Sequence, residues 1–410
     1  MSTPRKILAV TSSRADWGHL SSPLRHLQER TDVELQLAVM GAHLSPEFGM
    51  TVDQIELEGF RVDHRIECLL SSDSDVGMAK TLGLAVLSLT EILAKDRPDL
   101  LLLIADRYEM LAPASVALAL RIPVAHIEGG EVSEGAVDHA VRQALSSIAH
   151  LHLVPTETAL RRLSMAGEEP WRIHRVGAPS LDHLNNGGVA DPQLLESELQ
   201  LGENQSPLIV VWHPVTLDDH LGIETDPFFE ALEEIEGPMV FCFPNADAGS
   251  RRIRDRAQRF CDPRDDARIF VNLRHQLYWA LLSRARAIIG NSSSGIMEAP
   301  ALQLPCLNIG RRQQGRERSR CIVDVPAKRD AIIEGVSRVC DPGFRSSLVG
   351  MVNPYGDGTA GARIAEIIST VSLGARLLEK RAIPAAAIPA PPQWPEADQD
   401  SVALDGHRIS

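Results

Sequence analysis

Twenty residues in the first half of the chain carry an unusual density of titratable groups. The stretch HIEGGEVSEGAVDHAVRQAL (126–145) contains four carboxylates, two histidines and three glycines. Glu128 ends an apolar run, and Glu131 follows two glycines whose missing side chains let backbone or ligand come close. A carboxylate at the mouth of a buried strand is partly desolvated, which raises its pKa and suits it to proton transfer. This pattern predicts acid–base chemistry.

Two more acids belong to the same hypothesis. Asp138 and Arg142 are four residues apart and share one face of a predicted helix, and Asp106 follows the four leucines of LLLLIADRYEM. Acids presented to one crevice can act as general acid and general base on opposite sides of a bond. Each also has an ordinary interpretation, since Asp138 can simply pair with Arg142, and Asp106 can cap a helix beside Arg107. The residues alone leave both open.

A second motif is typical of phosphate binding. AIIGNSSSGIMEAP (287–300) is an apolar strand, a turn of small polar residues and the start of a helix. Free backbone N–H groups at such a helix start bind phosphate, and Ser292, Ser293 and Ser294 add hydroxyl donors. Glu298, about one turn later, could accept hydrogen bonds from a ribose diol. The alternative is a plain serine N-cap without a ligand.

Two basic side chains end strands in corresponding places. Arg14 lies at the strand-to-helix turn of TSSRADWGHLSSP (11–23), where its guanidinium could hold a diphosphate in fixed geometry. His213 ends the apolar strand of VVWHPVT (210–216), where a histidine either faces a ligand or is structural.

The elements that must position these residues alternate between apolar strands and helical stretches, which predicts parallel sheets covered on both faces. The predicted strand segments cover 6–12, 33–40, 99–105, 122–128, 151–156, and then 207–214, 237–244, 267–272 and 285–295. The pattern restarts after residue 206, so we predict an α/β protein with two doubly wound, Rossmann-like domains that face a central cleft. Such a cleft is the usual ligand site of this architecture.

Turn-forming and proline-rich segments suggest where the units end. NNGGVADPQ (185–193) collects turn formers, and the repeated prolines after residue 381 favour an extended, flexible tail. We expect a first domain with the candidate acids over 1–184 and a second domain with the phosphate-binding motif over 185–358. A helix over 359–380 should pack back on the first domain, and 381–410 should form the Pro/Ala-rich tail.

Composition excludes some functions. A net charge of −14 argues against a general nucleic-acid binder, because neutralising phosphates needs a basic surface. Neither a signal peptide nor about 18 uninterrupted apolar residues is evident, so we expect a cytoplasmic protein without a membrane partner. The six cysteines are scattered singly, which favours reduced structural thiols and no metal site.

Together the motifs resemble those of the hydrolysing UDP-N-acetylglucosamine 2-epimerases of sialic-acid pathways. The resemblance covers about residues 5–378, and its motifs stand in family order: TSSRADWGHLSSP (11–23), GAHLSPEFG (41–49), ADRYEML (105–111), HIEGGEVSEGAVDHAVR (126–142), PNADAGS (244–250), GNSSSGIMEAP (290–300), NIGRRQQGRE (308–317) and YGDG (355–358). The resemblance implies a GT-B-like fold, a nucleotide-sugar substrate, no metal or redox cofactor, and a homodimer or homotetramer.

The implied reaction converts UDP-GlcNAc and water to UDP and N-acetylmannosamine, for nonulosonic (sialic) acid synthesis. A base removes the C2 proton while UDP leaves C1, and water then adds to the resulting 2-acetamidoglucal. The family's catalytic positions fall on Asp106, Glu128 and Asp138, with Glu131 and Arg142 as supporting candidates. UDP contacts fall on Arg14, His43, His213, Asn245, Ser292, Ser293, Ser294, Glu298 and Arg316.

Other functions stay open. The relatives that act on UDP- or GDP-2,4-diacetamido-2,4,6-trideoxyglucose, on the legionaminic acid route, share the same motifs. A non-hydrolysing UDP-GlcNAc 2-epimerase usually has Arg-Pro-Glu where this chain has Arg14-Ala15-Asp16. A nucleotide-sugar sensor would not need three acids at one centre. Two departures from the family pattern are Ala105, where glycine is expected, and Trp17, where tyrosine is common and which could alter the sugar pocket.

Overall fold

A computed structural model describes residues 3–70, 72, 74–134, 137–185, 192–202, 205–214, 224–243, 250–271 and 273–381. It contains two parallel sheets with helices packed on both faces, which confirms the predicted pair of Rossmann-like domains. The first sheet has the order β3-β2-β1-β4-β5-β6-β7, and the second has the order β10-β9-β8-β11-β12-β13. These strands are β1 Arg5–Thr11, β2 Val33–Met40, β3 His64–Ile66, β4 Leu100–Ile104, β5 Val124–Ile127, β6 Leu151–Val154, β7 Ile173–Arg175, β8 Leu208–Val211, β9 Met239–Phe243, β10 Ala267–Val271, β11 Ala287–Gly290, β12 Cys306–Ile309 and β13 Ile322–Val325.

Helices connect the strands. The α-helices are α1 Arg14–Gln28, α2 Val52–Leu57, α3 Asp75–Lys95, α4 Leu111–Leu120, α5 Val137–Ile148, α6 Glu157–Met165, α7 Asp182–Asn185, α8 Pro192–Leu199, α9 Thr225–Glu233, α10 Ser250–Cys261, α11 His275–Arg284, α12 Ser293–Met297, α13 Arg329–Val339, α14 Pro342–Ser346, α15 Ala360–Thr370 and α16 Ala375–Leu378. Short 3₁₀ turns lie at Gly41–Leu44, Pro46–Phe48, Tyr108–Met110, Pro170–Arg172, Pro179–Leu181 and Ala299–Leu302.

The apolar strands build their domains because each contributes side chains to both faces. In β1, Ile7 belongs to the core that also contains side chains of α1 and α15, whereas its neighbour Leu8 belongs to the core shared with α3 and α4. Leu101 and Leu102 of β4 divide in the same way, and all of β4 is buried. Successive residues of a strand point to opposite faces, so a fully apolar run can only sit between two helical layers.

The strand order reverses at one place in each sheet. β1 lies between β2 and β4, and β8 lies between β9 and β11, so consecutive connections run to opposite sides. Ligands of open α/β sheets bind at the carboxyl ends of the strands at this switch point. The residues that follow β1, β4, β8 and β11 are therefore the ones that the fold brings to the cleft.

The chain returns to the first domain at its described C-terminal end. α15 packs on α1, and the Asp182 carboxylate accepts hydrogen bonds from Ser22 Oγ (2.7 Å) and from the backbone N–H groups of Ala360 (2.9 Å) and Gly361 (2.6 Å). The buried Arg172 guanidinium donates to the carbonyl of Leu377 at 2.8 Å. These bonds fasten the last helices to the sheet that carries the acids.

One described helix, α3, is long and apolar enough to span a bilayer by length and composition, although core helices pass the same test. Ala85, Leu89 and Leu93 of α3 are buried against the first domain, whereas Leu87 is 70% exposed. The six cysteines are free thiols.

Candidate active site

Two cavities meet where the switch points of the two domains face each other. The first, here the phosphate-turn cavity, is lined by residues that include Arg14, Ala15, His19, His213, His275, Tyr278, Ser292, Ser293, Ser294, Met297 and Glu298. The second, here the acid cavity, is lined by residues that include Ala15, Asp16, His19, Asp106, Glu128, Ser133, Asp138, Arg142, His213, Ser293, Met297, Arg312 and Arg316. Both cavities are small, with volumes of about 100 and 90 Å³.

The phosphate-turn cavity is built where β8 and β11 run side by side. Gly290 has φ 134°, and a Cβ there would collide with the Val211 carbonyl, so only glycine lets these two strands approach. The Asn291 side chain then accepts from the His213 N–H (2.7 Å) and donates to the His213 carbonyl (2.9 Å). Asn291 thus fixes the backbone that presents the histidine.

The three serines have different roles. Ser292 caps α12, because its side chain accepts from Ser294 N–H. The Ser294 hydroxyl lies between the Tyr278 hydroxyl (2.7 Å), which donates to it, and the Glu298 carboxylate (2.5 Å), which accepts from it. Ser293 lines both cavities. The predicted phosphate residues are therefore together, and Ser294 is already engaged by neighbours.

Arg14 enters this cavity from the other domain. Its Nε and Nη1 are buried and find no acceptor among the described residues. Burial lowers the pKa of Arg14 to about 10, which still leaves a cation at neutral pH. A buried guanidinium without a partner is costly, and an anion such as phosphate would relieve that cost.

The acid cavity is organised around Arg142. This buried guanidinium bonds to the Asp106 carboxylate and donates to the Glu128 carbonyl at 2.7 Å. Ala105 and Glu128, which follow β4 and β5, have φ values of 55° and 64°, so the chain turns sharply just before Asp106 and at Glu128 itself. Arg142 thereby ties two strand ends together beneath the cavity.

The ion pair expected within α5 is different in the structure. Arg142 pairs with Asp106, and Asp138 instead faces Arg312 of the second domain, with 3.6 Å between Oδ2 and Nη2. The simple Asp138–Arg142 pair is therefore wrong, because the buried Arg142 side chain is directed at the strand ends. Asp138 faces the cleft.

Glu128 has an unpredicted partner in His19 of α1. The distance from His19 Nδ1 to Glu128 Oε1 is 2.6 Å. Burial raises the pKa of Glu128, but the charge and hydrogen bond of His19, with Arg142 and Arg316, outweigh it and lower the pKa to about 2. Burial lowers the pKa of His19, and the Glu128 charge and hydrogen bond outweigh it and raise it to about 9. The expectation of a raised pKa for Glu128 is wrong, because burial is compensated by cations.

Two predicted residues line neither cavity. His43 is fully buried, with its ring nitrogens bonded to Thr11 and Thr51 hydroxyls at 2.9 and 2.7 Å, and lines neither cavity. Glu131 also lines neither, since it accepts from Thr156 Oγ1 (2.8 Å) and Tyr355 OH (3.4 Å).

Arg316 lies at the acid cavity rather than at the predicted nucleotide position. Its Nε donates to the Val132 carbonyl at 2.8 Å and its Nη2 to the Ser133 hydroxyl at 3.1 Å. Asn245 lies outside the described residues. Trp17 lines neither cavity, because its indole is buried against Phe60 and donates to Glu58 at 2.9 Å.

Sequence reasoning missed His19, Asp16, Asn291, Tyr278 and Arg312. Asp16 is a buried N-terminal carboxylate of α1 that accepts from the N–H groups of Ser12 and Ser13, and burial raises its pKa to about 6. A signal for His19 was available, since it lies four residues after Ala15, which lines both cavities, and thus on the same face of α1.

Two Rossmann-like domains whose strand ends face each other across a cleft define a GT-B-like protein. Among solved structures, the chain is similar to the UDP-GlcNAc 2-epimerase of Neisseria meningitidis bound to UDP-GlcNAc (TM-score 0.76, 20% identity, 88% of this chain and 99% of that one). It is also similar to the calicheamicin glycosyltransferase CalG4 (TM-score 0.51, 13% identity, 90% and 98%). The sequence profile of the UDP-N-acetylglucosamine 2-epimerase family matches residues 25–369, and the chain belongs to this family.

Two characterised relatives share more of the sequence. The chain is 34% identical over 378 residues to the hydrolysing UDP-N,N'-diacetylbacillosamine 2-epimerase of Legionella pneumophila, covering 92% of this chain and 98% of that one. It is 36% identical over 323 residues to the hydrolysing GDP/UDP-N,N'-diacetylbacillosamine 2-epimerase of Campylobacter jejuni, covering 78% and 84%. These similarities support a nucleotide-sugar epimerase.

Proposed function

We propose that the protein is a hydrolysing 2-epimerase of a nucleotide-linked 2-acetamido sugar. The observation that carries the proposal is the junction of the two cavities. One has a serine turn and the Arg14 guanidinium, whose buried Nε and Nη1 find no acceptor among the described residues, and the other has four acids. The nucleoside diphosphate would occupy the phosphate-turn cavity, and the sugar would occupy the acid cavity. Arg14 and Ser293 would then contact the diphosphate, and Glu298 the ribose.

The acids differ in what they can do. Glu128 has a pKa of about 2 and is a poor base for a C–H proton, because base strength falls with pKa. Asp106 is held by the buried Arg142, whereas Asp138 of α5 lines the acid cavity, with 3.6 Å between its Oδ2 and Arg312 Nη2. We therefore assign Asp138 as the base at C2, with Asp106 and Arg142 holding the ring and Glu128 acting through its charge. Glu131 takes no chemical part in this assignment.

The reaction proceeds in two balanced steps. The base takes the C2 proton, the C–H electron pair forms the C1=C2 bond, and the C1–O pair leaves with the diphosphate. Water then adds across the double bond, so that C1 gains a hydroxyl and C2 regains a proton on the opposite face. The product is the free sugar epimerised at C2.

The names of the relatives indicate which candidate substrate to test first. Both relatives described above are named as epimerases of N,N'-diacetylbacillosamine. This sugar is the 2,4-diacetamido-2,4,6-trideoxyglucose that the sequence analysis considered as an alternative to the GlcNAc of UDP-GlcNAc. We propose UDP- or GDP-linked diacetylbacillosamine as the first substrate to test and UDP-GlcNAc, which would give N-acetylmannosamine, as the second.

The test is incubation of the purified protein with each nucleotide sugar in deuterated water. We expect nucleoside diphosphate and a free 2-epimerised sugar that carries deuterium at C2, detected by NMR and mass spectrometry. Recovery of an epimerised sugar still linked to nucleotide would show a non-hydrolysing enzyme. Binding without turnover of any nucleotide sugar would contradict the proposal and favour a sensor.

A further inference from the structure

The two cavities share one narrow wall. Ala15, His19, His213, Ser293 and Met297 line both of them. If the diphosphate occupies one cavity and the sugar the other, the bond from C1 to the diphosphate oxygen must cross this wall. The two histidines are the titratable side chains of the wall.

His19 is held in one orientation. Its Nδ1 lies 2.6 Å from Glu128 Oε1, and the Glu128 backbone is fixed in turn by Arg142, which donates to its carbonyl at 2.7 Å. No described residue accepts a hydrogen bond from His19 Nε2, and the side chain keeps 19% of its exposure. With Nδ1–H directed at the carboxylate, Nε2 is left for a ligand in the wall between the cavities.

We propose that His19 is a catalytic residue whose Nε2–H donates a hydrogen bond to the diphosphate oxygen as it leaves C1. This role rests on the proposed function. His19 remains protonated throughout, so it transfers no proton; it stabilises the electron pair that the C1–O bond leaves on the oxygen. The C2 proton still goes to the carboxylate base, and the double bond forms between C1 and C2.

The charges around His19 support a permanent imidazolium. Glu128 from β5, Asp16 from α1 and Glu298 beside α12 raise the pKa of His19 to about 9 against the lowering by burial. From the sides of α7 and α11, His183 and His275 face the same ring, and burial lowers the pKa of both, so neither competes as a cation. A positive donor already in place costs no reorganisation when the leaving group develops charge.

The test separates elimination from hydration. Release of nucleoside diphosphate requires the leaving group, whereas hydration of added 2-acetamidoglucal, or of the corresponding glycal of the substrate that the wild type uses, does not. For His19→Gln we expect kcat for diphosphate release to fall by about 10²–10³, the usual cost of one donor to a developing oxyanion. Hydration of the glycal should stay within about threefold, and His19→Lys, which keeps the charge, should recover at least tenfold over His19→Gln.

Controls make the outcomes distinct. His26→Gln changes an exposed histidine of the same helix and should leave both rates unchanged. An equal fall in elimination and hydration for His19→Gln, or elimination within threefold of wild type, overturns the role of His19. If His19→Gln does not fold, the rates of elimination and of glycal hydration are measured for His19→Lys instead, and these two rates decide the role of His19. A wild type without turnover of any nucleotide sugar instead overturns the proposed function.

Discussion

Replacing Glu128 by Gln tests the ion pair between His19 and Glu128, two residues of the first domain that line the cleft. The change keeps the size of the side chain and removes the charge 2.6 Å from His19 Nδ1. In the wild type, burial lowers the pKa of His19, but this pair, with smaller contributions from Glu298 and Asp16, outweighs burial and raises the pKa from 6.5 to about 9. At about 1.4 kcal/mol for each pKa unit, the stabilisation of the imidazolium is on the order of 3 kcal/mol. Without the carboxylate, burial should bring the pKa of His19 below 6.5.

The effect on stability has a defined pH window. The raised pKa of His19 gives stability that is fully present below about 6.5 and is lost as the pH rises through about 9. The lowered pKa of Glu128 gives stability that is present above about 4.5 and is lost as the pH falls through about 2. The two pKa shifts describe the same ion pair, so their contributions to the free energy of unfolding are not added. The difference in thermal midpoint between wild type and Glu128→Gln should therefore be largest between about pH 4.5 and 6.5.

The assay is NMR titration of histidine labelled with carbon-13 at Cε1, in which His19 is assigned by its loss in His19→Gln. Thermal unfolding is followed at pH 6 and pH 9.5 alongside. Glu29→Gln, at the exposed pair of His26 and Glu29 with 4.0 Å between Nδ1 and Oε2, is the matched control and should leave the pKa of His19 unchanged. If the pKa of His19 in Glu128→Gln stays within half a unit of the wild-type value, the reasoning about this pair is refuted.

Three further changes probe the cleft. Arg14→Met removes a guanidinium that lines the phosphate-turn cavity. UDP affinity measured by calorimetry should fall by about tenfold to a hundredfold, because hydrogen bonds to charged groups contribute about 1.5–3 kcal/mol. Unchanged affinity would place the diphosphate elsewhere. Gly18→Ala puts a methyl group against the His275 ring across the domain boundary and should destabilise the protein in thermal unfolding by about 1–3 kcal/mol. Gly83→Ala, in open space on α3, should instead stabilise by about 0.5–1 kcal/mol, and equal shifts for the two variants would contradict a tight boundary. Asp138→Asn should lower kcat by about 10² with UDP affinity retained, and the reverse result would make Asp138 a binding residue.

The main strands were predictable because a fully apolar run of five to eight residues fits one environment, the interior of a parallel sheet. Short strands carry too few residues for a period to be recognised. β3 (His64–Ile66) and β7 (Ile173–Arg175) were missed for that reason, and β12 (Cys306–Ile309) and β13 (Ile322–Val325) were also missed. Trp17 was misjudged because tertiary packing decides where its indole lies: it packs on Phe60, whereas Arg14 faces the cleft.

What the sequence by itself determined is the fold class and the set of side chains that end the strands, since both depend on local pattern. Asp106, Glu128, His213 and Ser293 could be named because each follows an apolar run. Only the tertiary structure decided their partners. His19 and Glu128 are 109 residues apart, and Asp138 finds Arg312 in the other domain. Charge pairs of this kind depend on strand order and domain approach, and the partner, as at Glu128, reverses the direction in which burial alone would move a pKa.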